Sequence, residues 1–119
     1  MTPPLLADDA FGRALDRLRP VAAARGLRLA LLERPAGPGD HGFAEFAGRS
    51  LRLRLVWEAD ARALWVEWAQ ARGAEVVGRW TDIEWTLAGG RLPLDLELGP
   101  ERVERLARAA EAFLSGAGA

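Results

Sequence analysis

His41 is the single histidine of this 119-residue sequence, and serine is limited to Ser50 and Ser115. Acid–base or nucleophilic chemistry would have to start from these residues or from carboxylates, because cysteine, lysine, tyrosine and asparagine are absent. The absences exclude thiolate catalysis, cysteine-ligated zinc, disulfides, Schiff-base chemistry and a lysine-bearing phosphate loop. His41 follows Asp40 in a Gly/Pro loop, where its immediate neighbour offers no nucleophile to activate. One histidine cannot supply a two-histidine metal site. Neither serine lies in a Gly-x-Ser-x-Gly turn, and the glycines form no dinucleotide fingerprint. No cofactor or metal is expected.

Carboxylate pairs are the remaining catalytic option. Asp95 and Glu97 would share one side of a strand, and Asp82 and Glu84 would do so if their segment is also a strand. Two close acids could split their pKa values or hold a hard cation. Each pair alternates with bulky apolar residues, which is equally the pattern of any solvent-facing strand.

The five tryptophans, Trp57, Trp65, Trp68, Trp80 and Trp85, carry more information, and their meaning depends on the elements that position them. A helix is expected to start near Asp8 or Asp9, with Phe11, Leu15, Leu18 and Ala22 at helical spacing. Pro20 should kink it or start a second short helix, and Gly26 suits a left-handed cap. Leu27–Leu32 reads as a strand, followed by a turn-rich loop from Pro35 to Gly42 and a short strand at Phe43–Ala47. After a turn at Gly48-Arg49, Leu51–Trp57 alternates apolar with mostly basic residues, and Arg62–Gln70 forms another strand.

Centring a turn on Ala59-Asp60 pairs these two strands so that Leu51, Leu53 and Leu55 face Trp68, Val66 and Leu64. Arg54 then lies opposite Trp65, and Arg52 opposite Glu67, on the other side. A one-residue slip would bury arginines, so the facing of the strands is well specified.

Between Ala71 and Gly90, Thr81-Asp82-Ile83-Glu84 fits a capping box. A short helix with Trp80, Ile83 and Leu87 on one side is the expectation. The strand alternative groups Val77, Ile83, Trp85 and Leu87. Leu92–Leu98 alternates as a short edge strand carrying Pro93. Pro100 opens a last helix with Val103, Leu106, Ala110, Phe113 and Leu114 as its apolar stripe, and the tail from Gly116 should fray.

The whole chain, 1–119, therefore reads as one α+β domain. It has an N-terminal helix, an antiparallel sheet of four to five strands, and a C-terminal helix or helices packed on one side. The sequence has no basic-then-apolar leader and no apolar run of the ~20 residues needed to cross a bilayer, so a cytoplasmic protein is expected. All 16 basic residues are arginine. A functional reading makes arginine the residue of phosphate or carboxylate recognition, but with abundant Ala, Gly and Pro a GC-rich bacterial genome is the expectation. A net charge of −1 gives no electrostatic reason to expect nucleic acid or an anionic membrane.

If helices cover only one side of the sheet, Trp65 lies on the other with Arg54, Arg52 and Glu67 around it. Tryptophan and arginine are enriched at binding hot spots. The alternative is that a helix or the Trp80–Trp85 segment covers this side, making Trp65 part of a second small core. The element order is loosely similar to small bacterial secretion chaperones and toxin-immunity proteins, which implies binding to another protein. The leading expectation is a non-catalytic protein-binding module using this outer surface, with a partner of unknown identity or a second copy of the chain. A small carboxylate-dependent enzyme or ligand-binding domain using Asp82, Glu84, Asp95 or Glu97 is the alternative. Single-stranded nucleic-acid binding through stacking on the same aromatic–arginine surface comes third.

Overall fold

Phe11, Leu15, Leu18 and Ala22 recur on one helical face, and all four are fully buried. They belong to helix α1 (Ala7–Ala23). The computed structural model describes residues 7–36, 39–89 and 100–117. Pro20 neither ends α1 nor starts a second helix. It sits in the last turn, where its carbonyl still accepts from the Ala24 N–H at 3.0 Å. The helix closes as the glycine spacing requires, with Gly26 at φ +79. Leu27 N–H donates to the Ala22 carbonyl and Gly26 N–H to that of Ala23, the paired bonds of a Schellman cap.

The sheet follows as β1 (Arg28–Glu33), β2 (Gly42–Ala47), β3 (Leu51–Glu58), β4 (Ala63–Arg72) and β5 (Glu75–Val76), antiparallel and in the spatial order β1-β2-β3-β4-β5. A short β6 (Thr81–Asp82) also pairs with β4. It leads into α2 (Ile83–Leu87), and α3 (Pro100–Ala117) completes the described chain. The architecture is α+β, with the N-terminal helix, the antiparallel sheet and the C-terminal helices that the hydrophobic patterns imply. The segment expected to form a strand at Leu92–Leu98, with Pro93, lies outside the described residues. Helix α3 runs on to Ala117 instead of fraying at Gly116.

Alternation decides which side of the sheet is core. Ala44 and Phe46 of β2, Leu51, Leu53, Leu55 and Trp57 of β3, and Leu64 and Val66 of β4 are buried against α1 and α3. From α3, Val103, Leu106, Ala110, Phe113 and Leu114 complete this core. Trp68 stacks in a tilted arrangement on Phe113, ring centroids 5.2 Å apart.

The β3–β4 pairing keeps the expected faces but not the expected partners. Leu53 pairs with Trp68, Leu55 with Val66 and Trp57 with Leu64, and Leu51 lies opposite Gln70. Each leucine thus meets a residue two positions beyond the one a tight turn would supply. The physical reason is a longer loop. Glu58 pairs with Ala63, so four residues, Ala59 to Arg62, make the reversal, with Arg62 at φ 48. A displacement of two preserves the side on which every side chain lies, so alternation cannot detect it.

Between β4 and β5 the loop is only Gly73-Ala74. Gly73 has φ +60, the positive value that a type II′ hairpin demands of its first loop residue. The chain then bends back, and Val77 and Gly78 both donate to the Gln70 carbonyl, at 2.9 and 3.3 Å.

Ile83–Leu87 is helical, as the 81–87 pattern suggests, but the capping box does not form. Thr81 is in β6, opposite Trp68, and the N-cap is Asp82. Its Oδ1 accepts from the Glu84 N–H at 2.8 Å and from the Trp85 N–H at 3.1 Å. Ile83 is fully buried, whereas Leu87 is exposed and Trp80 lies across the sheet from it.

Candidate functional site

The outer side of the sheet is built from residues that alternate with the core. Strand registers place them in three rows across β2, β3 and β4. Phe43, Val56 and Trp65 form an apolar row, Glu45, Arg54 and Glu67 a charged one, and Ala47, Arg52 and Ala69 a third. This corrects the sequence-derived contacts. Arg54 is opposite Glu67 and not Trp65, Arg52 is opposite Ala69 and not Glu67, and Trp65 is opposite Val56.

The two-residue displacement changes the chemistry of the face. Arg54 donates to Glu67 through Nε, 2.7 Å from Oε1, and through Nη2 to the same oxygen. Its guanidinium carbon lies 3.9 Å from the centroid of the Trp80 ring, a cation–π contact with a different tryptophan from the one expected. Glu67 uses its other oxygen, Oε2, to accept from the Trp65 Nε1–H at 3.2 Å. Arg52 bonds Glu45 Oε1 at 2.6 Å and the Ala74 carbonyl at 2.8 Å. Arg52, Arg54 and Glu67 thus sit side by side with Glu45, but each spends its charge inside the protein.

Those bonds also decide how much of this side is open. The return from Gly73 to Trp80 crosses one end of it, so Ala69 and Ala71 are buried and Glu45 is 7 % exposed. Among the described residues nothing covers the other end. A shallow depression of about 380 Å³ lies there, lined by His41, Phe43, Arg54, Val56, Glu58, Trp65 and Glu67, with Gly42 and Trp57 at its margin. The Trp80 segment covers Arg54, and Trp65 is half-buried at the open end.

His41 has a structural partner that its Gly/Pro loop does not suggest. Its Nδ1 accepts the Ala59 N–H at 3.1 Å, which ties the entry to β2 to the β3–β4 loop. Phe43 and Glu58 also line the depression. Their signal was the same alternation that marked Trp65, once β2 is extended across the sheet.

Of the carboxylate alternative, only Asp82 and Glu84 fall among the described residues. Asp82 is occupied as the cap of α2. Glu84 points to the core side, where Arg102 of α3 binds it. Asp95 and Glu97 lie outside the described residues. His41 is on the opposite side of the sheet from Glu84. Among the described residues, no cluster of three or more His, Asp or Glu side chains could hold a metal ion.

The result is an α+β sheet protein with an aromatic, charge-compensated depression on its outer face. No protein family, characterised protein or solved structure gives a significant match to this chain.

Proposed function

We propose that the chain is a non-catalytic protein-binding module, accessory, chaperone-like or immunity-like, that works in the bacterial cytoplasm and recognises its partner through the outer sheet face. The supporting observation is the Arg54–Glu67–Trp65 network beside the open depression. Trp65 is held by a hydrogen bond to a carboxylate that is itself fixed by Arg54. An aromatic anchor whose rotamer is already set loses little side-chain entropy on binding, the property that favours Trp at hot spots. Phe43 and Val56 extend the apolar contact beside it, while Arg54 and Glu67 give the rim a fixed polar pattern.

No helix among the described residues is long and apolar enough to cross a membrane. The ligand-binding alternative draws on the size of the depression, about 380 Å³, near the lower end of small-molecule sites. Its shallow form and the mutual pairing of Arg54 with Glu67 within it favour a protein surface instead. Nucleic-acid binding has less support, because Arg52 and Arg54 are already paired with acids.

The test is co-purification from the native host of tagged wild type beside Trp65→Ala and Trp65→Phe. The expected outcome is a partner retained by wild type, weakened by the phenylalanine variant and lost by the alanine variant. Both variants should keep wild-type circular dichroism. Partner retention by a folded alanine variant would remove the anchor and with it the proposed surface.

A further inference from the structure

Strand β1 ends the sheet, and among the described residues nothing pairs with its outer edge. Such an edge offers unpaired backbone N–H and C=O groups to another strand. Leu29 and Leu32 are only half-buried against the core, and Leu31 is 51 % exposed. The edge is therefore apolar in the middle and charged at its ends, Arg28 and Glu33.

A bulge at Ala30 gives this strand an unusual symmetry. The pairing of β1 with β2 shifts between Leu29 and Leu31, so Ala30 is an extra residue. Leu29 and Leu32 consequently lie opposite the core-facing Phe46 and Ala44. Arg28 and Glu33 lie opposite Ala47 and Phe43, which belong to the outer side. In a regular strand, residues five apart point to opposite sides. Here the bulge returns both charges to one side and both leucines to the other.

We propose that β1 is a homodimer edge: a second copy adds antiparallel about a two-fold axis perpendicular to the sheet, between Ala30 and Leu31. Arg28 then lies opposite the partner's Glu33, Leu29 opposite the partner's Leu32, and Ala30 opposite the partner's Leu31. Symmetry repeats each pair, giving two opposite-charge contacts on the outer side and two leucine pairs on the core side. Directly opposed residues must share a side, and only the bulge makes this register satisfy that condition. Edge charges commonly guard against pairing, but charges of one sign would do so at every register. Arg28 and Glu33 instead attract in the one register that also aligns the leucines. The inference is independent of the Trp65 surface.

A six-residue edge is a small interface, so the association is concentration-dependent. Sedimentation of the purified full chain from about 1 µM to about 500 µM reads it directly. Wild type is expected to form dimers as concentration rises. Glu33→Arg and Arg28→Glu each turn two attractive contacts into two repulsive ones and should weaken dimerisation roughly tenfold or more. The double variant Arg28→Glu, Glu33→Arg exchanges the charges and should restore it. Arg28 and Glu33 are both exposed, and circular dichroism checks that each variant is folded. A wild type that stays monomeric throughout overturns the proposal. So do dimers indifferent to the single substitutions, or a double variant as weak as the singles.

Discussion

Arg102→Met should be among the most damaging single substitutions in this protein, although arginine is normally a surface residue. Arg102 is 2 % exposed and lies in the first turn of α3. Its Nη1 sits 2.8 Å from Glu84 Oε2, the hydrogen-bond acceptor, and 2.7 Å from Oε1, while Nη2 donates to the Leu64 carbonyl at 2.8 Å. One guanidinium thus joins α3, α2 and β4. Removing it leaves a buried carboxylate without its counter-charge, which costs about 3–5 kcal/mol. A domain of this length is stable by only about 6–15 kcal/mol, so about a fifth or more of the total is at stake. The corresponding fall in Tm is about 10–25 °C.

Glu84→Leu should cost nearly as much, because it strands the buried cation. The double variant Glu84→Leu, Arg102→Met is the informative arm. Burying two ions is itself expensive, and Arg102 Nε has no partner among the described residues. An apolar pair should therefore recover to within about 2 kcal/mol of wild type, a coupling of about 3 kcal/mol or more between the sites. Urea unfolding followed by tryptophan fluorescence and far-ultraviolet circular dichroism measures all three variants. Single substitutions costing less than about 1 kcal/mol, or a double variant equal to the sum of the singles, would refute the reasoning.

The α2 cap and the α1–α3 surface each give a further test. Asp82→Ala removes the acceptor of two backbone N–H groups and should cost about 1 kcal/mol in the same urea assay, whereas Thr81→Ala should cost clearly less; the reverse order would restore the capping box. Glu104 bonds the Arg17 guanidinium at 2.8 Å, and that hydrogen bond holds its carboxyl below the ordinary 4.5. Because the folded value is the lower one, the pair favours folding above about pH 4.5 and ceases to do so as pH falls through the folded value. In Arg17→Ala, carboxyl NMR titration should place the Glu104 midpoint closer to 4.5, with little change in stability at neutral pH for so exposed a pair. An unmoved midpoint would dismiss the contact.

How far the sequence could carry this reading depends on the range of each signal. Period-2 alternation in Leu51–Trp57 and Ala63–Gln70 marks the core side without ambiguity, because every side chain in a strand is committed to one side or the other. The helical stripes from Phe11 to Ala22 and from Val103 to Leu114 are equally legible, as is the Gly26 cap. Partner identity is not encoded in the same way. Arg54 has the same parity whether it faces Trp65 or Glu67, and only the four-residue reversal from Ala59 to Arg62 decides between them. Thr81-Asp82-Ile83-Glu84 offers two acceptable caps one residue apart, and pairing of Thr81 with Trp68 in β4 selects Asp82 by keeping Thr81 extended.

The same displacement shapes the candidate surface. With Arg54 opposite Trp65, the outer face would have been an arginine–tryptophan patch with an uncommitted cation, suited to anions as much as to a protein. With Arg54 opposite Glu67, the cation is neutralised, the carboxylate has one oxygen left, and Trp65 takes it. Glu84 shows the converse: its alternation with apolar residues suggests a solvent-facing acid, but the helix that starts at Asp82 turns it under α3 to meet Arg102, 18 residues away. A local pattern can state that a charge is present at a given side. Whether that charge recognises a partner or holds the fold depends on a residue elsewhere in the chain that either reaches it or does not. On the outer face Glu45 and Glu67 reach Arg52 and Arg54, so the proposed recognition there falls to the shape of the depression and to the aromatic ring that Glu67 holds in place.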